Sequence, residues 1–339
     1  MIKSVDFVVG LSNGDEGKGA VAHSLSARQD YNLVMRVAGG MNAGHTIYHM
    51  GKKIVTHIIP CGVLHGKKSL IGSGCVLNER KFHEEVEGLN LLGFDTSVIK
   101  IASNAHIITE KHLKEEQNET KIGTTKQGNG PAYRDKYDRK GVRAEKIKSL
   151  EPYLVDIYEF LHSRDGSYSP WNVLVEGAQG FNLDIDHGNY PYVTSSHTTT
   201  AGGFLNLLPA RKLNKVYGCL KAYDTYVGSE KFQPEGDIFN EIAELGSEFG
   251  STTGRKRQVN WLNLDSAIKA ATSNEVSHFI VSKVDVLRDI NNKYGNIFWN
   301  VVHKNELISL GSESNFKDYI VSTLGYTQFR ESPSETVII

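Results

Sequence analysis

The chain is poor in cysteine, has almost no net charge and contains no long hydrophobic run. Its three cysteines, Cys61, Cys75 and Cys219, are widely spaced, so they form neither a disulfide framework nor a zinc-binding pattern. Lysine and arginine number 38 against 39 acidic residues, and this balance gives no reason to expect nucleic-acid or membrane binding. The apolar stretch near the N-terminus is too short for a signal peptide, and no run is long enough to cross a bilayer. We therefore expect a cytoplasmic protein.

Short apolar runs rich in β-branched residues alternate with segments of helical spacing. The predicted buried strands are 4–9, 33–37, 68–71, 98–102, 173–175, 215–220 and 279–281, and clear helical spacing is present in 81–92 and 263–271. This alternation predicts an α/β fold with a large, mainly parallel central sheet flanked by helices. The chain shows no internal repeat and no obvious linker, so we expect one domain over residues 1–339.

Four loops are dense in glycine, threonine, asparagine and arginine. They read VAGGMNAGHT (37–46), KIGTTKQGNGPAYRDK (121–136), VEGAQGFNLDIDHGNYPYVTSSHTTTAGG (175–203) and FGSTTGRKRQ (249–258). Any one of them could be an ordinary surface connection. Four such loops placed after probable strands are better explained as long functional loops, because open α/β sheets bind ligands at the carboxyl ends of their strands.

The loop after the first predicted strand reads GLSNGDEGKGA, at residues 10–20. It differs twice from the common phosphate loop, because Ser12 stands where the first glycine belongs and Gly19 replaces the hydroxyl that holds magnesium. Its remaining features are glycine flexibility and the charged residues Asp15, Glu16 and Lys18 at the start of a predicted helix. Backbone N–H groups there can hold phosphate, and a carboxylate beside phosphate suits magnesium binding or proton removal.

The loops together resemble one known family. After GDEGKG, the matching motifs in chain order are NAGHT (42–46), IGTT (122–125), GPAY (130–133), EGAQG (176–180), DIDHG (184–188), YPYVTSS (190–196) and TTGR (252–255). Between about residues 5 and 287 the chain resembles adenylosuccinate synthetase. Its length is similar to that of the compact archaeal and phage-borne members of that family. The resemblance implies a carbon–nitrogen ligase of purine biosynthesis, which joins IMP to L-aspartate, consumes GTP with Mg²⁺, and passes through 6-phosphoryl-IMP to adenylosuccinate, GDP and phosphate.

The resemblance also implies three catalytic residues. Asp15 would remove the N1 proton of IMP and bind Mg²⁺, although an acid at a helix start is also favoured by the helix dipole. His45 would act as an acid toward the GTP phosphates, and Lys18 would neutralise the transferring phosphoryl group. The carbonyl of Gly44 would be a second Mg²⁺ ligand.

The remaining implied site residues bind the three substrates. The GTP-binding positions are Gly17, Gly19, Gly44, His45, Thr46, Lys283 and Asp285, where Asp285 in SKVDVL would select guanine by accepting from its N1–H and 2-amino groups. The purine monophosphate positions are Asn42, Thr125, Gln179, Thr194 and Arg139, the last reaching from a second subunit of a homodimer. The aspartate positions are Thr252, Thr253, Arg255 and Arg257, because planar guanidinium groups bind carboxylates bidentately. On composition alone, the KYDRKGVR segment around Arg139 would be a solvated run of charges.

Several positions depart from the family pattern around the purine pocket. They are Asn13, Met41, Lys126, Gln127, Tyr226 and Glu230, and the C-terminal tail is also shorter than usual. A phage-associated branch of the family uses dGMP, but that branch lacks the aspartate of GDEG and the guanine-binding K-x-D, both present here. IMP is therefore the expected purine, with (d)GMP as the alternative.

A protein that binds GTP but has lost catalysis is the hypothesis from another functional class. It is disfavoured because the residues implied for chemistry and for aspartate binding are all present, namely Asp15, Lys18, His45, Arg255 and Arg257.

Overall fold

The computed structural model describes residues 1–28, 30–163, 170–250, 254–332 and 335–338, in which we number seventeen strands in chain order. These are β1 (Ile2–Gly10), β2 (Leu33–Arg36), β3 (His45–His49), β4 (Lys52–Thr56), β5 (Lys68–Ile71), β6 (Val76–Leu77), β7 (Ile99–Ala102), β8 (His106–Ile107), β9 (Leu154–Val155), β10 (Trp171–Glu176), β11 (Leu213–Lys221), β12 (Tyr223–Tyr226), β13 (Gln258–Asn263), β14 (His278–Ser282), β15 (Asn300–His303), β16 (Glu306–Ser309) and β17 (Thr327–Phe329).

Ten α-helices lie in the same described ranges, together with six short 3₁₀-helices. The α-helices are α1 (Lys18–Ser26), α2 (Glu79–Leu91), α3 (Glu110–Gln117), α4 (Asn129–Tyr137), α5 (Ile157–His162), α6 (Ala201–Phe204), α7 (Asp237–Leu245), α8 (Leu264–Ser273), α9 (Val284–Tyr294) and α10 (Glu313–Leu324). The 3₁₀-helices are Cys61–His65, Thr96–Val98, Ala144–Lys146, Lys148–Tyr153, Phe181–Leu183 and Ala210–Lys212. None of the helices in the described part of the chain is long and apolar enough to span a membrane.

Nine strands form a wholly parallel central sheet in the order β17-β14-β11-β1-β10-β2-β5-β7-β9. The seven predicted strands all belong to it, which confirms the predicted α/β fold. A second sheet has the order β12-β13-β15-β16, and β3 pairs with β4 as an antiparallel hairpin.

Alternate residues of the central strands pack into two separate hydrophobic cores. In β1, Phe7 belongs to one core and Val8 to the other, and Val173 and Leu174 of β10 divide in the same way. The sheet is therefore covered on both faces, which is why its strands appear in the sequence as continuous apolar runs.

Two of the four glycine-rich loops leave the carboxyl ends of parallel strands as expected, 37–46 after β2 and 175–203 after β10, whereas 121–136 follows α3 and 249–258 follows α7. β1 lies between β10 and β11, so the strand order reverses direction around the first loop. The loops that follow β1, β2, β10 and β14 leave the sheet at this same edge. A crevice at such a reversal is the usual ligand site of open α/β sheets.

Candidate active site at the carboxyl edge of the sheet

A cleft of about 1090 Å³ opens at this edge, a volume slightly above the range usual for small-molecule sites. The site residues expected from the sequence that line it are Asp15, Gly17, Lys18, Gly19, Asn42, Gly44, His45, Thr46, Thr125, Gln179, Thr194, Arg255, Arg257, Lys283 and Asp285. Residues from loops more than 200 positions apart are therefore brought into one cavity.

Three expected site residues are not among the lining residues. Arg139 follows α4 in an exposed turn with a left-handed backbone (φ 61°) and does not line the cleft of its own chain. Thr252 and Thr253 lie outside the described residues. Of the positions that depart from the family pattern, Asn13 and Tyr226 line the cleft.

Three helices begin at the cleft wall. Left-handed residues precede them, namely Gly17 before α1 (φ 87°), Gly128 before α4 (φ 78°) and Lys283 before α9 (φ 67°), and no side chain caps these starts. Lys18, Asn129 and Asp285 on their first turns all line the cleft. Uncapped helix starts leave N–H donors and positive dipole ends available, so this wall suits phosphate groups.

The first loop is built around the buried side chain of Glu16. Its carboxylate accepts hydrogen bonds from the backbone N–H groups of Ser12 (3.1 Å) and Gly14 (2.8 Å) and lies 2.5 Å from the Lys18 ammonium. A β-carbon on Gly10 would lie only 2.5 Å from Glu16 Oε2, so this position requires glycine. Glu16 thus shapes the loop and holds Lys18.

Asp15, by contrast, points toward the cleft from a left-handed backbone position (φ 62°), with about a third of its side chain exposed. Its Oδ2 lies 2.9 Å from Nε of Arg257, whose Nη1 donates to the buried carboxylate of Glu248 at 2.5 Å. Glu248 also accepts from Lys221 Nζ (3.0 Å) and from the Tyr223 hydroxyl (2.7 Å). One guanidinium therefore connects the exposed carboxylate to a buried one.

Burial would raise the pKa of Glu248, but Lys221, Arg257 and Lys283 outweigh that effect and lower it to about 2. Burial likewise lowers the pKa of Lys221, against the opposing charge of Glu248. Sequence reasoning missed Glu248 and Lys221. Neither belongs to a glycine-rich motif, although Lys221 directly follows the predicted strand 215–220 and Glu248 precedes the arginine-containing loop.

His45 is held by a second buried carboxylate. Its Nδ1 lies 2.5 Å from Oε1 of Glu176, the last residue of β10. Glu176 also accepts from the backbone N–H of Cys61 at 2.7 Å and lies 3.9 Å from Arg36. The expected motif EGAQG therefore contributes an orienting carboxylate that its sequence did not reveal.

The charges of this pair follow from their surroundings. Burial lowers the pKa of His45 despite the raising influence of Glu176. Burial would raise the pKa of Glu176, but the hydrogen bond with His45 and the charge of Arg36 bring it to about 2. A neutral ring thus donates from Nδ1 to the carboxylate, which leaves Nε2 as the nitrogen for a ligand.

Two amide side chains in the cleft have polar atoms without partners. Oε1 of Gln179, and both amide atoms of Asn129, are buried and lack hydrogen-bond partners among the described residues. Such groups are costly unless a ligand or water satisfies them. Arg255 also joins two loops of the site by donating to the carbonyl of Gly123 at 2.8 Å.

The fold and the cleft together define an α/β phosphate-binding protein in which carboxylate, imidazole and guanidinium groups converge. A family model described as adenylosuccinate synthetase matches residues 7–150 and 144–294. Adenylosuccinate synthetase of Desulforapulum autotrophicum is 38% identical over 335 residues, which covers 83% of this chain and 77% of that protein. The corresponding protein of Borrelia turicatae is 36% identical over 340 residues, covering 85% and 78% respectively. The chain belongs to the adenylosuccinate synthetase family and is a ligase of that type.

Solved structures agree with this membership. The fully ligated adenylosuccinate synthetase of Plasmodium falciparum superposes with a TM-score of 0.83 at 27% identity, covering 98% of each chain. The succinoaminodeoxyadenylate synthetase of cyanophage S-2L, bound to dGMP and dATP, superposes with a TM-score of 0.70 at 22% identity, covering 95% of this chain and all of that one. The second likeness shows a shared fold.

Proposed function

We propose that the chain condenses IMP with L-aspartate, using GTP, to give adenylosuccinate, GDP and phosphate. The observation that supports this most strongly is the convergence of Asp15, Lys18 and His45 with Arg255 and Arg257 along one cleft. Phosphoryl transfer and capture of a dicarboxylate need these two sets of groups side by side.

The first chemical step creates a leaving group on the purine. The Asp15 carboxylate, oriented by Arg257 at 2.9 Å, takes the proton from N1 of IMP, and the electron pair moves onto O6. O6 then attacks the γ-phosphorus of GTP, the bond to the bridging oxygen breaks, and GDP leaves. Lys18, held at 2.5 Å by Glu16, neutralises charge on the transferring group.

His45 assists this transfer from the phosphate side. The neutral ring is fixed by Glu176 through Nδ1 and lines the cleft, so Nε2 is the nitrogen left for an incoming polyphosphate. Negative phosphate oxygens raise the pKa of a nearby imidazole, and this effect makes His45 an acid only when the nucleotide is bound.

The second step replaces phosphate by aspartate. The substrate's α-amine attacks C6, the C6–O6 bond breaks, O6 departs with the phosphate, and the attacking nitrogen releases one proton to water. Arg255 and Arg257 bind the aspartate carboxylates, with Thr252 and Thr253 as further donors.

The nucleotide-binding assignments rest on the helix starts at the cleft wall. Gly17, Gly19 and Thr46 border the GTP phosphates, and Lys283 and Asp285 at the start of α9 bind the guanine. Asn42, Thr125, Gln179 and Thr194 bind the purine monophosphate, where Gln179 offers a buried oxygen that lacks a partner in the described chain. We assign Arg139 of a second copy of this chain to the same nucleotide, in a homodimer.

Magnesium fits the same cleft. Asp15 and the carbonyl of Gly44 are oxygen ligands of the kind that Mg²⁺ prefers, and a site with one carboxylate is typical of an ion that also binds substrate phosphates. When bound, the ion neutralises negative charge on the phosphate groups.

Two broader expectations belong to this proposal. The chain covers 77–78% of the length of two relatives, and the compact archaeal or phage-type subtype expected from the resemblance stays a prediction. A cytoplasmic location is supported by the three cysteines, Cys61, Cys75 and Cys219, which are buried as free thiols.

The purine identity is tested by supplying IMP, GMP or dGMP separately with GTP, Mg²⁺ and L-aspartate. GDP release and the mass of the product are measured in each reaction. We expect turnover with IMP. Turnover with GMP or dGMP alone would replace IMP by the alternative purine, and absence of turnover with all three would replace the ligase by a GTP-binding protein. If GMP or dGMP proves to be the purine, Asn13 and Tyr226 are the first positions to mutate, because they depart from the family pattern and line the cleft.

A further inference from the structure

Three histidines that the proposed reaction does not use lie close together outside the cleft. His23 is in the last turn of α1, His49 ends β3, and His65 ends the 3₁₀-helix Cys61–His65. One ring nitrogen from each lies within 4.8 Å of the other two. The residues are 26 and 16 positions apart in the chain, so no sequence motif connects them.

The three rings form a closed cluster. His23 Nε2 and His49 Nδ1 are 2.9 Å apart, and the ring centres of His65 lie 4.5 Å from His23 and 5.2 Å from His49. Phe94 covers His49 at a ring distance of 5.5 Å. Nε2 of His65 is buried and has no hydrogen-bond partner among the described residues. The cluster therefore contains an unsatisfied nitrogen beside a pair that shares one proton.

We propose that His23, His49 and His65 form a binding site for a late first-row divalent cation, with Zn²⁺ as the best-fitting ion. A zinc–nitrogen bond is about 2.0–2.1 Å, so tetrahedral ligands are about 3.3 Å apart. The ion replaces the proton shared by His23 and His49 and separates those nitrogens slightly, while His65 moves inward. All three rings are half-buried, so a water molecule can complete the coordination.

The surroundings favour the ligand form of these rings. Burial lowers the pKa of His23 to about 4, with His65 and His49 adding to the effect. Burial also lowers the pKa values of His49 and His65. The rings are therefore neutral at pH 7, as metal binding requires.

The ligand set also determines which ions compete. Three imidazoles without a carboxylate favour Zn²⁺, Cu²⁺, Ni²⁺ or Co²⁺ over Mg²⁺, which prefers oxygen. The site is separate from the magnesium position proposed in the cleft, because none of the three histidines lines that cleft.

Such an ion would connect the supports of two catalytic side chains. Lys18 begins α1 and His23 lies five residues later, about 7.5 Å along the helix. His45 begins β3 and His49 ends it, about 13 Å away. The ion thus has a structural role, because it fixes α1 against β3 without contacting substrate.

The test uses the full chain without an affinity tag, stripped of metal by a chelator and then kept in excess Mg²⁺. Co²⁺ and Zn²⁺ are titrated, with visible absorption for Co²⁺ and elemental analysis for Zn²⁺. We expect one ion per chain and displacement of Co²⁺ by Zn²⁺. The variant His65→Ala should bind Zn²⁺ at least about tenfold more weakly, since even the loss of an outer partner of a metal ligand has that effect.

His83→Ala is the matched control. His83 is also half-buried among aromatic rings with an unpartnered Nε2, but it belongs to no histidine cluster of the described chain. Failure of the wild-type chain to bind Zn²⁺ stoichiometrically, or equal affinity in the His65 and His83 variants, would overturn the site. If His65→Ala does not fold, as judged by circular dichroism, His49→Gln takes its place with the same expected loss.

Discussion

Three buried glutamates each hold a cationic or imidazole side chain that lines the cleft. Glu16 holds Lys18, Glu176 holds His45, and Glu248 holds Arg257. The exposure of these glutamates is at most 1%, and fixed geometry of this kind lowers the reorganisation needed during reaction. The sequence identified the side chains expected to touch substrate, because their motifs are specific. It did not reveal the pairing, because the partners lie 2, 131 and 9 positions apart in the sequence and only the tertiary fold shows which of them are in contact.

Removal of one of these charges tests its orienting role. The variant Glu176→Gln keeps the shape of the side chain but loses the charge that fixes His45 and lies near Arg36. We expect kcat to fall about 10- to 100-fold, the usual effect of losing an orienting partner, with little change in KM for IMP. Steady-state kinetics and thermal unfolding are measured beside Glu306→Gln, an exposed control on β16. A kcat equal to that of the control would contradict the role of Glu176.

Elements that form from local patterns were the most predictable part of the fold. The seven predicted strands are apolar runs buried on both faces, and the two predicted helices correspond to α2 and α8. The edge strands β9 and β17 were missed because they have two and three residues, too few to show a pattern. The loops were recognised from glycine content, yet their conformations depend on contacts between distant segments.

Gly180 shows how closely two of these loops pack. A β-carbon there would lie 2.3 Å from the Ser12 carbonyl oxygen and 2.5 Å from both Glu16 Oε1 and the Gly14 nitrogen. We expect Gly180→Ala to lower the free energy of unfolding by about 1–3 kcal/mol and to weaken GTP binding, because the first loop must shift.

Gly88 provides the matched control for this substitution. It lies within α2, and an added β-carbon would have no atom within 4 Å. Gly88→Ala should raise the free energy of unfolding by about 0.5–1 kcal/mol, since alanine favours the helix. Urea unfolding and GTP titration of both variants make the comparison. If Gly180→Ala changed neither the free energy of unfolding nor the GTP affinity differently from Gly88→Ala, the first loop would tolerate displacement and the proposed close packing would be wrong.

At the scale of the whole molecule, acid should weaken the fold through two histidines that are shielded from solvent, the half-buried His23 and the buried His106. Burial lowers the pKa values of His23 and His106 to about 4, whereas an unfolded histidine titrates near 6.5. Between about pH 4 and pH 6.5 the unfolded chain binds more protons than the folded chain. The contribution of these histidines to the free energy of unfolding is therefore fully present above about pH 6.5 and is lost as the pH falls toward 4. Urea unfolding at pH 7 and pH 5, with chelator present, should show this loss, and His106→Gln should reduce it. An unchanged free energy of unfolding between the two pH values would disprove the linkage.

We further propose that residues 1–339 form one domain and that the active unit is a dimer. The central sheet takes strands from both ends of the chain, β1 at Ile2–Gly10 and β17 at Thr327–Phe329. The single domain and the dimer stay predictions, whereas the family, the ligase class and the α/β fold expected from the sequence are confirmed.

Mixing two impaired variants tests the dimer, with activity measured at an IMP concentration well below the wild-type KM so that both variants are weak on their own. Arg139→Ala removes the side chain expected to act in the partner's site, and Asp15→Asn removes the base. We expect Arg139→Ala to raise KM for IMP about tenfold, as for loss of a charged hydrogen bond. Unfolding and refolding the two variants together should restore about a quarter of wild-type activity, because half of the dimers then contain one intact site. Activity that stays at the average of the separate variants would contradict a shared site.

The most direct test of the proposed chemistry follows the purine oxygen. IMP labelled with ¹⁸O at position 6 is converted with unlabelled GTP and L-aspartate, and the released phosphate is analysed by mass spectrometry. Phosphoryl transfer to O6 predicts one ¹⁸O in the phosphate for every adenylosuccinate formed. Unlabelled phosphate accompanying the same product would contradict the phosphorylated purine intermediate, and with it the assignment of Asp15, Lys18 and His45 to its formation.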